Sequence, residues 1–105
     1  MAKQRKTVKD GQEPIIIKLD PILDLNMAAA LHSNFSKALD EERPISVDTA
    51  DVEKITTPCL QIMISAGLSS EAAGNSFSFN DPSEALSNAF HDLGLHSFLN
   101  RWSNV

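Results

Sequence analysis

Residues 14–19, Pro-Ile-Ile-Ile-Lys-Leu, decide how the fold begins, because they place three β-branched residues in a row. Such a run is typical of a strand that is covered on both faces, so we expect a central strand here. Side-chain oxygens at Asp24 to Asn26 can cap a helix, and apolar residues at three- and four-residue spacing continue this helix to about Asp40. Residues 45–48, Ile-Ser-Val-Asp, form the next strand, and a right-handed crossover makes the two strands parallel.

Two further units of the same kind follow along the chain. Thr57 and Pro58 indicate a helix start, because a threonine hydroxyl can cap the first amides and a first-turn proline loses no needed hydrogen bond. The apolar stripe of this helix comprises Leu60, Met63, Ile64 and Leu68. Residues 76–79 alternate like a strand, residues 81–83 supply the cap of another helix, and residues 95–102 form a short last helix. This alternation predicts an α/β domain with a small, mainly parallel sheet.

The charges divide the chain into two parts. The 105 residues carry nine basic and fourteen acidic side chains, a net charge of -5. Four of the basic residues lie in the first nine positions, which leaves five against fourteen, or -9, in residues 10–105. We therefore expect residues 1–12 to be a flexible basic tail or docking arm and residues 13–105 to be one acidic domain. Nucleic-acid binding is disfavoured, and the lack of a secretory signal or a long apolar run predicts a cytoplasmic protein without membrane insertion.

The side chains that most often carry catalysis or bind metals do not form a recognisable motif. His32 lies within the first helix, and His91 and His96 are separated by a glycine at a spacing that does not place both on one helical face. Cys59 is the only cysteine and is expected to be a small buried packing residue. The four glycines are isolated, so no phosphate-binding loop is present. We therefore predict no enzyme activity, no cofactor and no metal.

Polar residues gather in the loops that follow the predicted strands, where α/β sheets usually place their sites. These residues are Asp20, Asp24, Asp48, Asp51, Thr56, Thr57 and Asp81. Asp48 and Asp51 fit either a solvated capping loop or a carboxylate site. Thr57 allows two interpretations. Its hydroxyl can be a simple helix cap, or it can accept a phosphate that the first amides and the positive end of the helix dipole would stabilise.

The order of these segments resembles the STAS domain of anti-sigma factor antagonists, sulfate transporters and lipid-transport accessory proteins. The resemblance covers about residues 13 to 102. It is carried by Ile15 to Leu19, Leu23 and Asp24, Ile45 to Asp48, Val52 to Gln61, Pro82 to Leu86, and Leu93 to Leu95. It implies a four- or five-stranded mixed, mainly parallel sheet with about four helices, mainly on one face. The edge strand that the family adds at its N-terminus would fall at about Thr7 to Lys9.

In that family, a hydroxyl residue after the third strand is phosphorylated by a partner kinase, and Thr57 falls on this position. Thr56, Pro58 and Cys59 stand where the family usually has Asp, a small residue and Gly. Asp24 matches an acidic residue that often lies beside the phosphorylated one. The sequence of residues 57–61, Thr-Pro-Cys-Leu-Gln, is similar to that of stand-alone STAS proteins that are encoded with bacterial chemotaxis genes.

The resemblance therefore implies a non-enzymatic regulatory module that binds another protein in bacterial signalling. The implied partner is a kinase of the chemotaxis or anti-sigma type. The expected partner-binding residues are Asp24, Asp48, Asp51, Thr56, Thr57 and Pro58. Two alternatives stay open: an accessory subunit of a lipid-transport ATPase, and a sensor domain for a small ligand.

Overall fold

The computed structural model describes residues 13–103 and contains five strands and four α-helices in alternation. The strands are β1 (Ile15–Lys18), β2 (Ile22–Leu23), β3 (Ile45–Asp48), β4 (Lys54–Ile55) and β5 (Phe77–Asn80). The helices are α1 (Ala28–Asp40), α2 (Thr57–Ala72), α3 (Glu84–Asp92) and α4 (His96–Trp102), and a 3₁₀ turn (Leu25–Met27) precedes α1. The predicted α/β order is confirmed. The basic tail and the edge strand expected near residue 8 lie outside the described residues.

The strands form two small sheets in which every pairing within residues 13–103 is parallel. The larger sheet has the order β1-β3-β5, and the smaller one pairs β2 with β4. The prediction that β1 is central and covered on both faces is wrong for the described residues. There, β1 lies at the edge and Ile16 is 60% exposed, whereas Ile45, Ser46 and Val47 of β3 are all buried. Three β-branched residues in a row satisfy strand propensity equally well at an edge, so they do not reveal the position of the strand.

The register of the larger sheet explains why the helices cover mainly one of its faces. Two apolar rows cross the three strands at positions that share a face, Ile15-Ile45-Phe77 and Ile17-Val47-Phe79. The alternate rows are Ile16-Ser46-Ser78 and Lys18-Asp48-Asn80, which are largely polar. Because successive side chains of a strand point to opposite faces, only the first set can form a hydrophobic core with the helices. The expected one-sided arrangement is confirmed.

The core ends in an aromatic cluster around Trp102, the last residue of α4. The indole ring meets Phe77 and Phe79 edge-on, with ring centroids 5.0 and 5.8 Å apart. Its Nε1 donates a 2.7 Å hydrogen bond to Glu71 of α2, and Gly67 of α2 lies directly against the same ring. The α4 helix is thus held on α2 and β5 by one large side chain.

The predicted apolar stripe of α2 is only partly correct. Leu60 and Met63 are buried, but Ile64 is half-buried and Leu68 is 42% exposed. The residues of α2 that face the core are Cys59, Leu60, Met63, Ala66, Gly67 and Ser70. Four of these six residues are small, which lets the helix lie close to its neighbours, and a hydrophobicity pattern does not report such closeness.

Candidate functional site

The N-terminus of α2 places Thr57 at the surface. Thr56 is the N-cap residue, with extended backbone at φ -86° and ψ 159°, so Thr57 and Pro58 are the first two helical residues, and both are exposed. The carbonyl of Thr56 accepts the first helical hydrogen bond from the Leu60 amide at 3.0 Å. Of the two interpretations of the Thr57 hydroxyl, the helix cap is wrong, because Thr56 is the N-cap residue and α2 has no side-chain cap within the described residues.

The hydroxyl of Thr56 does not cap α2 either, but bonds to the preceding strand β2. Its Oγ1 donates to the carbonyl of Leu23 at 3.2 Å, and the Thr56 amide donates to the same oxygen at 3.0 Å. Leu23 ends β2, and Ile55 of β4 pairs with it. The short β2-β4 sheet, which the sequence analysis treated as loop, therefore fixes where α2 begins.

Asp24 lies beside this helix start, as expected. Its carbonyl accepts a 3.4 Å hydrogen bond from the Cys59 thiol, and its carboxylate accepts a 3.0 Å hydrogen bond from the Asn26 amide and so caps the 3₁₀ turn. Cys59 is fully buried, which confirms its predicted packing role. The structure thus brings Asp24 together with Thr56, Thr57 and Pro58.

Two exposed apolar side chains border Asp24, and neither is among the residues predicted from the sequence. Ile22 is 43% exposed and Leu25 is 69% exposed. We define the α2 N-terminal surface as Ile22, Asp24, Leu25, Thr57 and Pro58. The sequence does contain a signal for these exposed side chains. The run Ile-Leu-Asp-Leu at residues 22–25 has more apolar residues than a loop of that length can bury.

Asp48 and Asp51 belong to a different group. The ammonium of Lys18 lies 2.9 Å from Asp51 and 3.6 Å from Asp48, and the Ala50 amide donates to Asp48 at 3.2 Å. The hydrogen bond to Asp51, followed by the charge of Asp48, raises the pKa of Lys18 above its ordinary value. Among residues 13–103, no hydrogen bond or ion pair joins this group to Asp24 or Thr57.

The remaining predicted loop residues, Asp20 and Asp81, are exposed at the ends of β1 and β5. Asp81 has a φ of 49°, a backbone conformation that aspartate tolerates better than most residues. The cap of α3 is Ser83, whose Oγ accepts from the Leu86 amide at 3.1 Å. Neither aspartate is joined to the α2 N-terminal surface by a hydrogen bond or ion pair within the described residues.

Two grooves of about 520 Å³ each run along the outer side of α2. One lies between α1 and α2 and includes Pro58, and the other lies between α2 and α4 and includes Leu68 and Phe98. Neither groove is lined by a Lys, Arg, Asp or Glu side chain, although residues 10–105 carry a net charge of -9. The sequence of α2 is unusually poor in charged residues, which is a signal for such grooves. Its apolar stripe, however, was predicted to face the core.

The histidines lie at the surface, two of them close together. The rings of His91 and His96 have centroids 5.7 Å apart, although they do not share a helix. Within residues 13–103, no group of three or more His, Cys, Asp or Glu side chains is arranged to hold a metal ion. No helix in that part of the chain has the length and apolar character needed to cross a membrane.

Comparison with known proteins identifies the fold. A solved structure of the anti-sigma factor antagonist SpoIIAA in its unphosphorylated form is similar, with a TM-score of 0.72 and 16% sequence identity. The similarity covers 90% of this chain and 81% of that chain. No curated protein matches the sequence. The family model described as "Mlab, STAS domain" matches residues 7–100, which is most of the chain, and the chain therefore belongs to the STAS domain family.

Proposed function

We propose that this STAS domain is a non-enzymatic regulatory module that binds a signalling protein through the α2 N-terminal surface, under the control of phosphorylation at Thr57. The observation that carries the proposal is the exposed position of Thr57 as the first residue of a 16-residue helix, whose third residue, Cys59, donates a hydrogen bond to the carbonyl of Asp24. The proposed partner is a bacterial kinase of the chemotaxis or anti-sigma type, and the site of action is the cytoplasm.

The composition of this surface suits binding to another protein. Ile22 and Leu25 provide exposed apolar area, and Asp24 provides a charge between them. Adjacent exposed apolar side chains that are rimmed by polar residues are typical of interaction sites. The hydrogen bonds that the amide and the hydroxyl of Thr56 donate to the carbonyl of Leu23 hold the surface in place without using the Thr57 hydroxyl.

A phosphate on Thr57 would change this surface in two ways. The first amides of a helix have no intrahelical partner and the dipole is positive there, so the phosphate would be stabilised without unfolding α2. It would also add up to two negative charges to a surface that already carries Asp24. These charges would repel carboxylates of a partner, and burying them against apolar residues would cost desolvation free energy. Phosphorylation would therefore weaken binding while leaving the domain intact.

The test is affinity capture of the tagged chain from its native cells as wild type, Thr57→Glu and Thr57→Val. We expect wild type and Thr57→Val to capture a kinase, and Thr57→Glu to capture at least about tenfold less of it, a loss of about 1.4 kcal/mol. Mass spectrometry of the captured wild-type chain should find a phosphorylated fraction of the Thr57 peptide. The matched control is Ser97→Glu, which adds the same charge at the exposed start of α4 and should capture as wild type does.

Folding of the variants is checked by thermal unfolding. A carboxylate in the first turn of α2 should be neutral or stabilising by about 0.3–1 kcal/mol, so lost capture by Thr57→Glu cannot be attributed to unfolding. Equal capture by Thr57→Glu and wild type, or a wholly unmodified Thr57 in cells where the kinase is active, would refute control by phosphorylation.

A second candidate function is that of a constitutive accessory subunit of a lipid-transport ATPase. The departures at Thr56, Pro58 and Cys59 from the usual phosphorylation motif favour it, because they alter what a kinase would recognise while preserving the surface. In the same experiment, capture of such an ATPase together with unmodified Thr57 would support this function over the first.

A further inference from the structure

The corner between α3 and α4 brings two exposed histidines together. His91 lies in the last turn of α3 and His96 begins α4. Their ring centroids are 5.7 Å apart, and their planes are inclined by 51°. The five-residue spacing excludes a shared face of one helix. It does not exclude contact between residues of two helices, and the two histidines make such a contact between α3 and α4.

A fixed turn, not a loose loop, holds this corner. Gly94 has a φ of 71°, and its amide donates to the carbonyl of His91 at 3.0 Å. The Leu95 amide donates to the carbonyl of Phe90 at 2.8 Å, and Phe90 is fully buried. These two hydrogen bonds form a Schellman motif, which fixes the direction in which the chain leaves α3. The backbones that carry the two histidines are therefore held at a set separation.

We propose that His91 and His96 bind one divalent transition-metal ion of the kind that prefers imidazole, with Zn²⁺ as the reference ion. With metal–nitrogen bonds of about 2.0–2.1 Å, the centroids of two imidazoles on one ion lie roughly 5 Å apart in tetrahedral geometry and roughly 6 Å apart when opposite each other. The observed 5.7 Å falls between these values. Both side chains are exposed, so they are free to rotate toward a shared ion.

The surroundings of the pair also suit a cation. The carbonyl end of α3 carries the negative end of the helix dipole, and Asp92 follows His91 directly. The part of the chain that the structure describes supplies no third ligand, so the other coordination positions are open to water or to a side chain of another molecule. Imidazole is a ligand that Zn²⁺, Cu²⁺ and Ni²⁺ accept and that Mg²⁺ and Ca²⁺ disfavour.

The test is calorimetric titration of the untagged full chain with ZnCl₂, and with MgCl₂ as the contrasting ion. We expect one Zn²⁺ per chain and no measurable Mg²⁺ binding. His91→Ala and His96→Ala should each weaken Zn²⁺ binding by at least about tenfold, because each removes one of the two protein ligands. The matched control is His32→Ala, which removes an exposed histidine of α1 and should leave the affinity within about twofold of wild type.

Binding should also weaken as the pH falls, because imidazole coordinates a metal only in its neutral form. Ring resonances followed by NMR should show His91 and His96 shifting together on addition of Zn²⁺ while His32 does not shift. The proposal is overturned if Zn²⁺ does not bind, if either single variant binds like wild type, or if His32→Ala weakens binding as much as the pair variants do. The site shares no residue with the α2 N-terminal surface, so this result is independent of the proposed function.

Discussion

Gly67 of α2 has no space for a side chain, and replacing it with alanine tests the packing of the aromatic cluster. An added Cβ would lie 2.5 Å from Cη2 and 2.6 Å from Cζ2 of Trp102, and 2.9 Å from Cδ2 of Phe77. Carbon atoms pack best at about 3.5–4.0 Å, so the indole ring would have to move by about 1 Å. That movement would also disturb its 2.7 Å hydrogen bond to Glu71.

The opposing effects can be compared in size. Alanine is a better helix former than glycine by up to about 1 kcal/mol. Overpacking a close-packed core costs about 1–3 kcal/mol. Complete loss of a hydrogen bond to a charged carboxylate costs about 1.5–3 kcal/mol, and weakening it costs less. We therefore expect Gly67→Ala to lower the free energy of unfolding by about 1–3 kcal/mol, and Tm by at least about 4 °C.

The assay is urea and thermal unfolding followed by circular dichroism and by the fluorescence of Trp102, the only tryptophan. Ser65→Ala is the control, since it improves the helix propensity of α2, by less than Gly67→Ala does, at an exposed position where no side chain is displaced. In a Trp102→Phe background, the cost of Gly67→Ala should fall by more than about 0.5 kcal/mol, because the nearest clashing atoms are gone. The reasoning is refuted if Gly67→Ala is as stable as wild type, or if its cost is unchanged in that background.

Two further predictions concern a helix cap and an ion pair. Ser83→Ala should cost about 0.5–2 kcal/mol in urea unfolding, because it removes the acceptor for the Leu86 amide, and Ser83→Asp should recover most of the loss. Lys18→Met should reduce stability slightly at neutral pH and low salt. Because the folded state raises the pKa of Lys18, this difference is fully present below the ordinary value of 10.5 and should vanish as the pH rises through the higher folded value. A difference between Lys18→Met and wild type that persists above that range, or in 1 M salt, would contradict the assignment of the effect to the ion pair.

Local signals predicted the order of elements well. Capping residues and apolar spacing located α3 and the 3₁₀ turn with α1, apolar spacing alone located α4, and the run of β-branched residues located β1. The same signals did not show that β1 is an edge strand within the described residues, because position in a sheet depends on which strands pair and not on propensity. The β2-β4 sheet was missed because two-residue strands are too short to show a period.

The candidate site was predicted in part. Asp24 and Thr57 were correctly expected in one region, since both follow strands at the same edge. Asp48 ends β3 of the larger sheet, and its pairing with Lys18 depends on the register between β1 and β3, which the sequence does not show. The contact between His91 and His96 was missed for a similar reason, because spacing within one helix says nothing about a turn that reverses the chain.

The anchoring of α2 has a consequence for how such domains diverge. The amides of Glu53 and Lys54 both donate to the carbonyl of Pro21, and the Thr56 amide donates to that of Leu23. Main-chain hydrogen bonds of this kind survive almost any change of side chain. Selection can therefore replace Leu25 or Thr57 to suit a new binding partner while the helix start stays where it is, and recognition can drift between descendants of one gene without a compensating change in the core.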